Sequence, residues 1–168
     1  LYAGDNYESF FRYVGGQSMD MQLLFAYAIE TLMAYNHAGK IYRQIFVINE
    51  VLPEAVQIYL MNKIAICYIT EAGYLLPGKR KLRYFYYASE VYKDVIHDRG
   101  FCLLEEDQQS KAYLYLAYTS EITRRLSGRE AFEHYQLAIN ISGRKIFDIL
   151  KTCFMGISIR CLLYTSDA

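Results

Sequence analysis

"LSGREAFEHYQLAINIS", residues 126–142, sets alanine at 131 and 138 with tyrosine between them at 135. Spacings of four and three residues bring these side chains onto one face of a helix, a large group between two small ones. Ser127-Gly128 is the turn before the segment and Ser142-Gly143 the turn after it. Two readings compete here. Glu130 and His134 stand one helical turn apart, the spacing of an acid–base pair. The alanines instead describe a seam where another helix comes close. No nucleophile is placed beside the pair, so Glu130 and His134 read as a solvated i,i+4 contact, and the seam carries the information.

Upstream, Ser110 starts a helix running to about Leu126, and residues 129–141 make the next, an antiparallel pair joined by a short turn. Arg144 to about Met155 begins a further helix. Such hairpins cannot bury a face alone and stack on their neighbours. Ala112 to Gly143 resembles a tetratricopeptide repeat. In that register Ala131, Tyr135 and Ala138 take the small, aromatic and small positions of the second helix. Tyr115, Tyr118, Thr119 and Ile122 take the large, large, small and large positions of the first. The chain departs from the pattern in four places. Tyr115 replaces a tryptophan, Thr119 a glycine and Gly143 a proline, and the turn glycine, Gly128, comes two residues late. The resemblance covers about one repeat. It implies a short right-handed solenoid whose concave face binds a peptide or a neighbouring domain. Lys111, Tyr113 and Arg124 would face that partner from the first helix, with Tyr84 and Tyr87 from the preceding hairpin. An irregular helical bundle is the competing architecture.

Helical periodicity extends through the rest of the chain. Asp5 is placed to cap a short helix through Phe11 that stops at Gly15-Gly16. Ser18 is placed to cap a helix reaching about Asn36, with Met21, Leu24, Phe25, Ala28, Leu32 and Tyr35 on its inner stripe and Gly39 as its stop. Tyr42 to Val51 follow as a helix ended by Leu52-Pro53. Pro53 opens the next, to about Ala72, with Ile58, Met61, Ala65, Tyr68 and Ile69 facing inward and Gly73 as the stop. After the turn at Pro77-Gly78, Lys81 to about Asp98 place Leu82, Phe85, Tyr86, Ser89, Tyr92 and Ile96 at helical spacing, with Gly100 beyond. "FCLLEEDQQ" is the least regular stretch, and "RYFYY" alone has strand-like composition. The expectation is an all-α array of six to eight helices forming one domain over residues 1–160. The last eight residues, "CLLYTSDA" at 161–168, resemble a translated sequencing-adapter tail and are set aside from the fold. A start on Leu1 reads as a fragment of a longer protein.

Composition narrows the function classes. Lys plus Arg and Asp plus Glu number 18 each, so no overall field draws in nucleic acid or an acidic membrane. No apolar run, Ile64 to Ile69 among them, approaches the roughly 20 residues of a spanning helix. Cys67, Cys102, Cys153 and Cys161 form no C-x-x-C pair and read as reduced thiols in a cytoplasmic setting. Eighteen tyrosines beside no tryptophan suit half-buried helix faces and binding grooves alike.

The other chemical motifs are thin. Asp94 and His97 echo half of a di-iron helix site, but no second copy of the spacing exists and the chain has three histidines. "GKRKLRYFYY", residues 78–87, joins Lys79, Arg80, Lys81 and Arg83 to four aromatics, as a stacking site for single-stranded nucleic acid would. The simpler reading is a basic turn before an amphipathic helix. Arg124, Arg125, Arg129, Arg144 and Lys145 form a second basic cluster. Nucleotide-loop, serine-hydrolase and zinc-protease signatures are absent. The expectation is a non-catalytic protein- or peptide-interaction domain without a cofactor. The alternative is a regulatory helical domain fused to an effector outside this fragment.

Overall fold

Ser127 and Glu130 close the front of the quoted segment as a reciprocal cap. In the computed structural model, which describes residues 2–49 and 51–142, the Glu130 backbone N–H donates to Ser127 Oγ at 3.3 Å. The Ser127 N–H and Oγ both donate to Glu130 Oε2, at 2.9 and 2.8 Å. This S-x-x-E box satisfies donors that a helix start leaves open. Every regular element among the described residues is helical: α1 (Tyr2–Gly15), α2 (Met19–Thr31), α3 (Tyr35–Ile48), α4 (Glu54–Tyr74), α5 (Lys79–His97), α6 (Glu106–Ile122) and α7 (Gly128–Ser142). A 3-10 turn, Arg99–Leu103, joins α5 to α6. No described helix is long and apolar enough to cross a membrane.

The expected helices appear, with four corrections. The helix placed from Ser18 to Asn36 keeps its Ser18 cap but ends at Thr31. Met33 takes φ 60°, its N–H donates to Glu30 O, and the Ala34 N–H reaches back to Ile29 O. This is the paired closure that usually places glycine at the left-handed residue. Gly39, expected to stop that helix, lies buried inside α3, which runs from Tyr35 to Ile48 instead of from Tyr42 to Val51. A Cβ there would stand 3.1 Å from Cys67 Cβ, so glycine permits α3 and α4 to approach. Third, α6 begins at Glu106, four residues before Ser110. Ser110 is buried and donates its hydroxyl to Ala138 O at 2.9 Å, tying α6 to α7. Last, α1 already starts at Tyr2, so Asp5 lies within it, while its end at Gly15 is as expected. The helix expected from Arg144 and the segment 161–168 lie outside the described residues.

Two inner stripes also rotate. On α2, Met21, Leu24 and Leu32 are exposed while Gln22 and Ala26 are buried. Polar partners fix that rotation. Gln22 Nε2 donates to Gln17 O at 2.8 Å, and Glu30 accepts from Tyr42 Oη at 2.7 Å and from Lys63 Nζ at 2.9 and 3.0 Å. The Glu30 carboxylate thereby joins α2, α3 and α4. Burial opposes the charge on Lys63, and the hydrogen bonds and charge of Glu30 more than reverse that, so its pKa is raised. On α5, Leu82 and Tyr86 are exposed, and the buried face runs through Phe85, Ala88, Ser89, Tyr92 and Val95. Tyr86 instead covers the Arg125 guanidinium, 4.4 Å from its ring centre.

Packing is mainly sequential. Each helix from α2 onward packs chiefly on its neighbours in sequence, and α1–α3 make no substantial packing with α6 or α7 among the described residues. Three apolar cores follow one another along the chain. The first lies among α1–α4 around Ile41, Tyr42 and Leu60. The second lies among α4–α6 around Phe85, Tyr92 and Leu116. The third joins α6 to α7 through Leu114, Ala117, Ala131, Tyr135 and Ala138. The small residues of the quoted stretch thus meet another helix, with Ala131 and Ala138 essentially inaccessible to solvent. The central helix α4 serves two cores, which explains its apolar residues all round.

Candidate functional site

Sequential packing leaves clefts where alternate helices straddle the one between them. The larger measures about 460 Å³ and lies between α4 and α6, with α5 as its floor. Ile69, Thr70, Gly73 and Tyr74 line one wall, Tyr115 and Tyr118 the other, and Lys81 and Phe85 the floor. Phe85 meets Tyr118 edge to face at 5.7 Å. Lys81 Nζ stands 5.9 Å from the Phe85 ring centre and donates to Leu75 O at 3.2 Å, beyond the end of α4. An ammonium offers three donors. Lys81 is the one formal charge lining this cleft, and it has no carboxylate partner among the described residues.

A second cleft, about 310 Å³, opens between α5 and α7 over Leu116 and Ser120 of α6. At 100° per residue, Leu116 and Ser120 lie about 150° around α6 from Tyr115 and Tyr118, so the two clefts flank opposite sides of that helix. Its charges are largely spoken for. Arg125 pairs with Glu90 and approaches Ser89 Oγ at 3.5 Å. Glu130 is held in the cap, where the Ser127 backbone N–H and then its hydroxyl keep the carboxyl below its usual pKa. His134 Nδ1 donates to the Glu130 backbone carbonyl at 2.9 Å, and His97 Nδ1 donates to Lys93 O at 2.7 Å. Glu130 and His134 therefore face different partners and share no proton-transfer contact. Asp94, from the D-x-x-H, is exposed, and no cluster of three or more potential metal ligands occurs among the described residues.

The five residues named from sequence as partner-facing are divided. Tyr84 and Tyr87 pack against Tyr68 of α4, at 6.0 and 5.6 Å between ring centres, and Tyr68 Oη accepts from Arg43 at 2.9 Å. Tyr113 sits between Phe101, at 5.4 Å, and His134, at 5.8 Å. Lys111 pairs with Asp107 one turn earlier. Arg124 is exposed at φ 54°, in the left-handed closure of α6. None of the five lines either cleft. The repeat-packing set is more closely gathered. Thr119, Ala131, Tyr135, Ala138 and Tyr118 are buried, and Tyr115 and Ile122 are half-buried against the second core. Tyr135 Oη also donates to Glu121 at 3.0 Å, a cross-helix bond.

No protein-family model, curated protein or solved structure matches this chain. The tetratricopeptide likeness therefore rests on residues 112–143 themselves. In the sequence Gly73 reads as a helix stop and Phe85 as a core position, and the fold places both on the lining of the larger cleft. No atom lies within 4 Å of where a Cβ at Gly73 would be, and its backbone needs no left-handed φ.

Proposed function

We propose that this chain is a non-catalytic interaction domain, built as a tetratricopeptide-like array of helical hairpins, that binds a peptide segment of a partner protein or of the same longer polypeptide. The observation that carries the reading is the run of three successive cores with clefts of about 310 and 460 Å³ beside α6. Helices stacked in sequence expose grooves that a closed bundle fills with its own side chains. Both volumes fall in the range of about 300–1,000 Å³ common for binding sites. Arg125, Glu90, Glu130, His97 and His134 of the smaller cleft are engaged in a pair, a cap or carbonyl contacts, which suits recognition better than proton transfer. On this reading the protein works without a cofactor, in the cytoplasm.

The test is a peptide-display selection on the full 168-residue chain. Selected peptides are then titrated against Gly73→Leu, which fills the larger cleft, and Lys93→Trp, which crowds the smaller. Enrichment of a related set of sequences, weakened at least tenfold by one substitution, is the expected result. If no set is enriched, or if both variants bind the selected peptides as the parent does, the reading fails.

A further inference from the structure

Building on that interaction reading, we propose that the cleft between α4 and α6 takes an acidic internal segment of a partner polypeptide. A large apolar side chain sits among Phe85, Tyr115 and Tyr118, and an adjacent Asp or Glu carboxylate rests on Lys81.

Three features of the cleft lead there. The first is charge. Lys81 is the one formal charge on the lining, and its ammonium is half-buried without an acidic partner among the described residues. Ammonium groups near apolar surface gain most from a carboxylate that supplies both charge and acceptors. A phosphate would call for several cations or a cradle of backbone N–H groups, and this lining offers a single lysine.

The second is the shape of the apolar part. Phe85 and Tyr118 meet edge to face, and Ile69 closes the wall behind them. Aromatic rings so arranged receive another ring or a branched aliphatic group. The third is Gly73. Glycine in a helix costs about 0.5–1 kcal/mol relative to alanine. A side chain at 73 would meet nothing within 4 Å, and φ there lies outside the positive region. Neither packing nor backbone geometry requires glycine at this position. Gly73 does line the cleft, and without a side chain its backbone stays open to an occupant.

The probes are fluorescein-labelled, acetylated and amidated nonapeptides of Gly and Ser with adjacent Glu and Phe at the centre, in either order. Blocked ends remove terminal charges, so only the side-chain carboxylate is read. By fluorescence polarisation the native chain is expected to hold the better Glu/Phe peptide about fivefold or more tighter than its Gln counterpart, the scale of a partly exposed ion pair. Lys81→Met is expected to erase that preference. Lys81→Glu is expected to invert it toward a Lys/Phe peptide, a gain that misfolding cannot mimic. Gly73→Leu is expected to remove binding while Tm holds or rises. Equal binding of the Glu and Gln peptides to the native chain, or a preference that survives Lys81→Met, overturns the proposal. If display selection yields peptides indifferent to both Lys81→Met and Gly73→Leu but weakened by Lys93→Trp, this site is refuted and the interaction reading stands. If selection yields nothing, both fall.

Discussion

Replacing Ala138 by leucine is expected to pry α7 from α6 while leaving the first core intact. Ala138 has no accessible surface, and Leu114, Ala117, Ala131 and Tyr135 fill the space around it. Three added carbons must displace those neighbours, an overpacking cost of about 1–3 kcal/mol. The same displacement stretches the 2.9 Å bond from Ser110 to the Ala138 carbonyl, worth about another 1 kcal/mol. The sum, about 2–4 kcal/mol, falls on a core confined to α6 and α7. In an array coupled through neighbours, local opening of the last hairpin absorbs it. Amide hydrogen exchange followed by mass spectrometry is the assay. Protection in α7 should fall by about 30- to 1,000-fold, at 1.4 kcal/mol per tenfold, with Ile41, Ile45 and Leu60 of the first core unchanged. An equal loss of protection in α2–α4 would refute the reasoning, since it requires the cores to open as one unit.

Three further outcomes follow from single groups. The Tyr92 hydroxyl is fully buried with no hydrogen-bond partner among the described residues, so Tyr92→Phe should stabilise by about 1–3 kcal/mol in urea unfolding. A loss of stability would show that the hydroxyl is satisfied. Met33 holds φ 60° with an exposed side chain, so Met33→Gly should be neutral or raise stability by up to about 1 kcal/mol, read as Tm, and a drop above 1 kcal/mol would contradict a strained cap. Ser127 holds the folded Glu130 carboxyl below its ordinary pKa, so the cap's contribution is present above the unfolded value and fades as pH falls through the folded one. Carbon-detected NMR titration should show the Glu130 pKa rising in Ser127→Ala, and no change would remove Ser127 as the cause.

Helix number and order were legible because apolar spacing and turn residues report on neighbours within a few positions. Where glycine did the stopping, at Gly15-Gly16, the end came out correctly. Where it did not, the stops were missed: α2 and α6 both close through left-handed residues that are not glycine, Met33 and Arg124. The capping box at Ser127 and Glu130 is visible in the sequence as S-x-x-E, and it gives Glu130 a structural partner in place of His134, in keeping with the solvated, non-catalytic reading of that pair.

The seam was legible for a different reason from the clefts. Ala131, Tyr135 and Ala138 pack in a pattern set by one hairpin, and local spacing encodes it. The clefts are made by helices two apart, so their lining depends on how each helix is rotated about its axis. Polar pairs bear on such rotation, as α2 shows away from the clefts, where Glu30 faces Tyr42 and Lys63 and Leu24 and Leu32 lie outside. Apolar periodicity is blind to such a choice when both faces of a helix carry apolar groups. Tyr84 and Tyr87 pack on Tyr68, and Tyr113 packs between Phe101 and His134, so these rings lie beside the clefts and line neither of them. The proposed site rests instead on cleft-lining residues that local spacing does not single out, a helical glycine facing open space and a lysine without a carboxylate partner among the described residues.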